Sequence, residues 1–75
     1  MKNLIYLKDL KSILLGAVIL QKWNNDKENF DVVYTSRDIF DDEEFYPQFG
    51  EMVVSQMYSF ADSNGDYLVI TIEEE

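Results

Sequence analysis

The stretch from Pro47 to Asp62, "PQFGEMVVSQMYSFAD", constrains the fold more than any other part of the chain. Phe49, Met52, Val53, Met57 and Phe60 recur with helical spacing and share one stripe, while Glu51, Ser55, Ser59 and Asp62 face away, the pattern of an amphipathic α-helix. Pro47 suits the first turn, where the missing N–H costs nothing. Gly50 weakens such a helix by up to about 1 kcal/mol relative to Ala. An amphipathic helix of this length in a 75-residue chain requires an apolar surface on which to bury its stripe.

The remaining segments are read as supplying that surface. From Asn3 to about Leu14, the side chains Leu4, Leu7, Leu10 and Leu14 recur at steps of three and four, with Lys8 and Lys11 off the stripe, and Gly16 is a plausible stop. "AVILQKW" is β-rich, "NNDKEN" is a cluster of turn formers, and "FDVVYTS" alternates Phe30, Val32 and Tyr34 against Asp31, Val33 and Thr35, so these three stretches read as a hairpin. Periodicity alone does not separate this from one long helix running from residue 4 through Trp23. After the turn "DSNGD", Leu68, Ile70 and Ile72 alternate with Tyr67, Val69 and Thr71 in a final strand. No repeat or low-complexity linker divides the chain. The expected fold is a small single α+β domain over residues 1–75, in the order α-β-β-α-β, with a three-stranded, mainly antiparallel sheet packed by helices on one face.

Composition fixes what this domain can do. An apolar content of 47%, with five Phe, five Tyr and one Trp, supports a real core rather than a disordered acidic tail. Chains near this length bury only about 60% of their unfolded surface, so stability is marginal or shared with a partner. Cys is absent, which removes disulfides and thiolate chemistry and fits a cytoplasmic location; His is absent too, removing the commonest general base and metal ligand. The apolar run Ile13 to Leu20 is far short of the roughly 20 residues that span a bilayer. With Lys8, Asp9 and Lys11 before it and no small-x-small site after it, the run reads as a buried core segment rather than a secretory leader.

Enzymatic chemistry finds no support. Asp62, Asn64, Asp66 and Glu73 match positions 1, 3, 5 and 12 of a calcium loop, yet Tyr67 stands where the sharp turn needs Gly and "YLVITI" is strand-forming where a helix should begin. Ser36, Ser55, Ser59 and Thr71 have no His or patterned Lys as a base, and no phosphate-cradling Gly motif exists. The expectation is a protein without catalysis, cofactor or metal.

Charge is the informative feature. Residues 1–30 carry five Lys against three acids, 5 − 3 = +2; residues 31–75 carry Arg37 against twelve acids, 1 − 12 = −11. This balance argues against direct binding to nucleic acid or an anionic membrane, which need a cationic footprint. In "DIFDDEEFY" four successive carboxylates, Asp41, Asp42, Glu43 and Glu44, sit between pairs of large apolar side chains. Such a run is commonly a solvated face, a helix-entry charge or, at "EEE", an edge block. Residues two apart on a strand project about 6.6 Å from each other, and Asp38 and Asp42 on a helix would be about 6 Å apart along its axis; one nucleic-acid strand offers a phosphate every ~3.4 Å. A fixed array of this kind presents a basic protein with something like a phosphate backbone, with aromatics as desolvated anchors. The candidate contact residues are Asp38, Asp41, Asp42, Glu43, Glu44, Glu51, Asp62, Asp66, Glu73, Glu74 and Glu75, with Phe40, Phe45 and Tyr46 as anchors.

With "DIFDDEEFY", "DSNGD" and "ITIEEE" on a small scaffold free of Cys and His, the chain resembles the acidic DNA-mimic inhibitors made by bacteriophages, among them uracil-DNA glycosylase inhibitors, anti-restriction and anti-CRISPR proteins, and blockers of histone-like nucleoid proteins. The resemblance lies in size, charge and composition over the whole chain. It implies a cytoplasmic decoy, often dimeric, that occupies the DNA-binding face of a host protein such as a nucleoid protein, nuclease or repair enzyme. Lys22, Lys27 and Arg37 depart from a wholly acidic surface. Two rival expectations are an immunity protein or antitoxin that neutralises a basic nuclease, and an acidic interaction module without mimicry.

Overall fold

The computed structural model describes residues 4–63 and 65–73. Four strands, β1 (Val18–Asn24), β2 (Asn29–Ser36), β3 (Val53–Asp62) and β4 (Gly65–Glu73), form one mixed sheet in the order β2-β1-β4-β3, with β1 and β4 parallel and the other pairs antiparallel. One short helix, α1 (Phe45–Phe49), and a single 3-10 turn at Leu7–Leu10 are the helical elements among the described residues.

This corrects the expected α+β fold. The long helix predicted over Pro47–Asp62 is instead the end of α1 followed by β3, and the N-terminal helix is one 3-10 turn. The sheet has four strands instead of three, and its order is not α-β-β-α-β. The cause of the first error is visible in the register. The pairing of β3 with β4 shifts between Val54 and Gln56, so Ser55 is an extra residue and the strand changes phase there. Val54 and Met57 stand opposite Ile72 and Ile70, on the same side of the sheet although three residues apart. A bulged strand has thereby acquired helical spacing. The leucine steps of three in the N-terminal segment are equally those of a 3-10 turn, which repeats every three residues.

The core lies on one side of the sheet. Val18, Leu20, Ile70 and Ile72 project into it from β1 and β4; Leu7, Leu14, Ile39 and Phe45 close over them from the connecting segments. Backbone bonds hold the N-terminal segment to the start of β3: Leu7 N–H donates to the Met52 carbonyl at 2.9 Å and Val54 N–H to the Ile5 carbonyl at 2.8 Å. The apolar run Ile13 to Leu20 enters the core only in part, because Leu14, Val18 and Leu20 are buried while Ile13 and Leu15 are exposed. Among the described residues no helix is long and apolar enough to cross a membrane.

Candidate partner-binding surface

The acidic run leaves the sheet at the end of β2. Ser36 is buried opposite Val18, and three residues later Ile39 plugs into the core while its N–H donates to the Gly16 carbonyl at 3.0 Å. Between that plug and the buried Phe45, the chain makes two consecutive turns rather than a helix, so the helical spacing expected for Asp38 and Asp42 does not apply. Asp38 Oδ1 accepts the Phe40 N–H at 3.1 Å, and Asp42 Oδ1 accepts the Glu44 N–H at 3.1 Å. The Tyr34 hydroxyl donates to Asp42 Oδ2 at 2.6 Å. That bond, helped by Ser36 and the Glu44 and Phe45 backbone, holds the Asp42 carboxyl below the usual carboxylate range against the opposing effect of burial. The same bond pushes the Tyr34 phenol up.

Self-repulsion is thus handled by dividing the acids. Asp42 is half-buried and fixes the loop, while Asp41, Glu43 and Glu44 are exposed. With Asp38 and Asp42 they line one shallow basin, in which Arg37 is the single cationic side chain. Among the described residues no three of these carboxylates converge closely enough to hold a metal ion.

An apolar patch borders the basin. Phe40 is 80% exposed, and Leu15 and Ile13 are 73% and 68% exposed. A groove runs between Leu15, Phe40, Tyr46 and Pro47, with Ile39 and Leu14 as its floor and Lys11, Asp42 and Glu43 along its margin. The three expected anchors therefore divide. Phe40 is available, Tyr46 is half-buried with Lys11 Nζ 5.5 Å from its ring centroid, and Phe45 is fully buried in the core, so Phe45 is withdrawn from the contact surface. Leu15 and Ile13 take its place. Sequence reasoning missed them because an uninterrupted apolar run looks buried throughout; the one available signal was Gly16, whose φ of +81° marks the turn that swings Leu15 outward.

The other expected acids do not form one array. Asp62 and Asp66 lie at the tip of the β3–β4 hairpin, at the end of the sheet from which the acidic loop departs, and Arg37 shares a second shallow depression with Asp66. Glu51 is bound by Lys8, Nζ to Oε1 2.8 Å, and this raises the pKa of the lysine. Glu73 stands at the opposite end of β4, seven residues or roughly 23 Å of strand from Asp66. Glu74 and Glu75 lie outside the described residues. Comparison with protein-family models, curated proteins and solved structures finds no match for this chain.

Proposed function

We propose that this protein is a non-catalytic inhibitor that binds the basic nucleic-acid-binding surface of a DNA-binding protein and blocks its access to DNA. The observation that carries this reading is the basin after β2: five carboxylates on one short, internally braced loop, beside the exposed Phe40–Leu15 patch. Charge of one sign steers a cationic partner and sets the on-rate, while the apolar patch supplies contacts that survive desolvation. Rigidity matters as much as sign, because the Tyr34–Asp42 bond and the Ile39 plug order the loop before any partner arrives. The mimicry is limited to one end of the molecule: Asp38 to Glu44 form its centre, and Asp62 and Asp66 lie at the same end of the sheet.

The test is capture of basic proteins from a bacterial lysate on the immobilised protein, with a salt gradient and duplex DNA as competing eluants. DNA-binding proteins released by either eluant, and no longer retained when Asp41, Glu43 and Glu44 are replaced by Asn, Gln and Gln, are the expected result. Retention unchanged in that variant, or unaffected by competing DNA, rejects the proposal.

A further inference from the structure

On the sheet face turned away from the core, Gln21, Val69 and Thr71 are buried beneath neighbouring side chains, and the residues around them are exposed. Register places Thr35, Ile19, Val69 and Tyr58 in one row across it, and Val32, Gln21, Thr71 and Gln56 in the next. Phe30 stands beside Trp23 at one margin and Phe60 beside Tyr67 at the other. The middle is already ordered: Gln21 Nε2 donates to Thr71 Oγ1 at 2.9 Å, and the Trp23 and Phe30 rings meet edge-on with centroids 5.0 Å apart. Around it Trp23, Phe30, Val32, Tyr58 and Phe60 remain 39–64% exposed.

Two properties of this face select its occupant. In a chain of net charge −9 these rows contain no Lys, Arg, Asp or Glu; among the described residues carboxylates enter only at the two ends, as Glu73 beyond Thr71 on β4 and Asp62 beyond Phe60 on β3. A single-stranded nucleic acid would stack on such aromatics, but it needs a row of cations along its backbone, whereas Lys22, which lines a depression with Trp23, Phe30 and Thr71 at one end, has Glu73 in the same lining. A second copy meets like charge at the acidic loop but not across these rows. The area also suffices: at ~150–250 Å² per aromatic side chain, the four exposed rings offer roughly 400 Å². Val32, Thr35 and Gln56 extend the face to roughly 600 Å² per copy, the lower end of specific interfaces, which bury about 1,200–2,000 Å² in total.

We propose that two copies pack these faces together as a two-layer β-sandwich. The acidic loop sits on the core side of the sheet, so each pair displays two acidic loops outward. The inference stands on the uncharged middle rows of the sheet face and does not depend on what the acidic loop binds.

Sedimentation equilibrium from about 1 to 200 µM tests it, with the emission of Trp23, the chain's one tryptophan, as a second readout. The expected result is twice the 8.8 kDa chain mass at the upper concentrations and a red shift of Trp23 emission on dilution. Association should tighten several-fold between 0.05 and 0.5 M salt, because salt screens repulsion between acidic copies. The variant V32K/F60K should raise the dissociation constant at least 100-fold, with Tyr58→Arg as a second variant if the pair does not fold. A chain that stays monomeric throughout, a dimer indifferent to these substitutions, or quenching of Trp23 by oligothymidylate with no change in mass would overturn the assignment.

Discussion

Phe45 gives the most direct test of how the structure divides the "IFDDEEFY" segment. It is fully buried, with its ring centroid 4.9 Å from Tyr46, 6.2 Å from Tyr34 and 6.4 Å from Phe49. Removing a ring enclosed this way costs about 3–5 kcal/mol, through lost burial and the cavity left behind. A chain of 75 residues has about 4–11 kcal/mol of total stability, so Phe45→Ala removes about a quarter of it or more. Urea unfolding followed by far-UV circular dichroism and Trp23 fluorescence measures the loss. With a slope near 1 kcal/mol per molar, typical of small proteins, the midpoint falls by about 3 M or the chain is unfolded without denaturant. Phe40→Ala is the matched control, five residues away and 80% exposed, and should change stability by no more than about 0.5 kcal/mol. A Phe45→Ala loss below about 1 kcal/mol, or an equal loss in Phe40→Ala, would show that the loop does not enter the core as described.

Two other perturbations have signs fixed by the geometry. Gly50→Ala places a Cβ 2.6 Å from the Tyr46 carbonyl oxygen, so it should destabilise by about 1–3 kcal/mol, seen as a lower melting temperature; helix propensity alone would raise it. The Tyr34–Asp42 bond lowers the folded pKa of Asp42, so its contribution is fully present above the ordinary carboxylate value near pH 4 and fades as pH falls through the lower folded value. The stability difference between wild type and Tyr34→Phe, measured by denaturant titration at several pH values, should therefore be constant at neutral pH and shrink below about pH 4. It should also shrink above about pH 10, where Tyr34 of the unfolded chain ionises first. A difference independent of pH would disprove the bond.

The β1–β2 hairpin and the final strand were legible because their alternation is carried by consecutive β-branched and aromatic side chains with turn formers between them. The segment after Pro47 was not, because the bulge at Ser55 changes strand phase at the point where a periodicity count must choose between two and three and a half. The candidate site was half legible. Local clustering of Asp38 to Glu44 is a property of sequence and survives folding, whereas the inclusion of Glu51 and Glu73 assumed a common face that the pairing with Lys8 and the length of β4 deny. Which of two neighbouring aromatics turns inward was also undetermined, since Phe40 and Phe45 have similar flanks and only the Ile39 plug decides the rotation of the loop.

Segregation of charge follows from the same topology. Residues 37–52 must cross the core side to carry the chain from the end of β2 to the start of β3, and that crossing contains six of the fifteen acidic side chains. The opposite side is built from strand interiors alone, where alternation with β-branched and aromatic residues leaves little room for carboxylates. One connection therefore produces both an acidic surface and an uncharged one, and the two respond to salt in opposite directions: attraction of a cationic partner weakens as salt rises, while contact between like-charged copies strengthens. A titration of ionic strength on one sample, reading partner capture and self-association in parallel, separates the two surfaces without any mutation. If both move the same way, the division of charge described for this fold does not govern its associations.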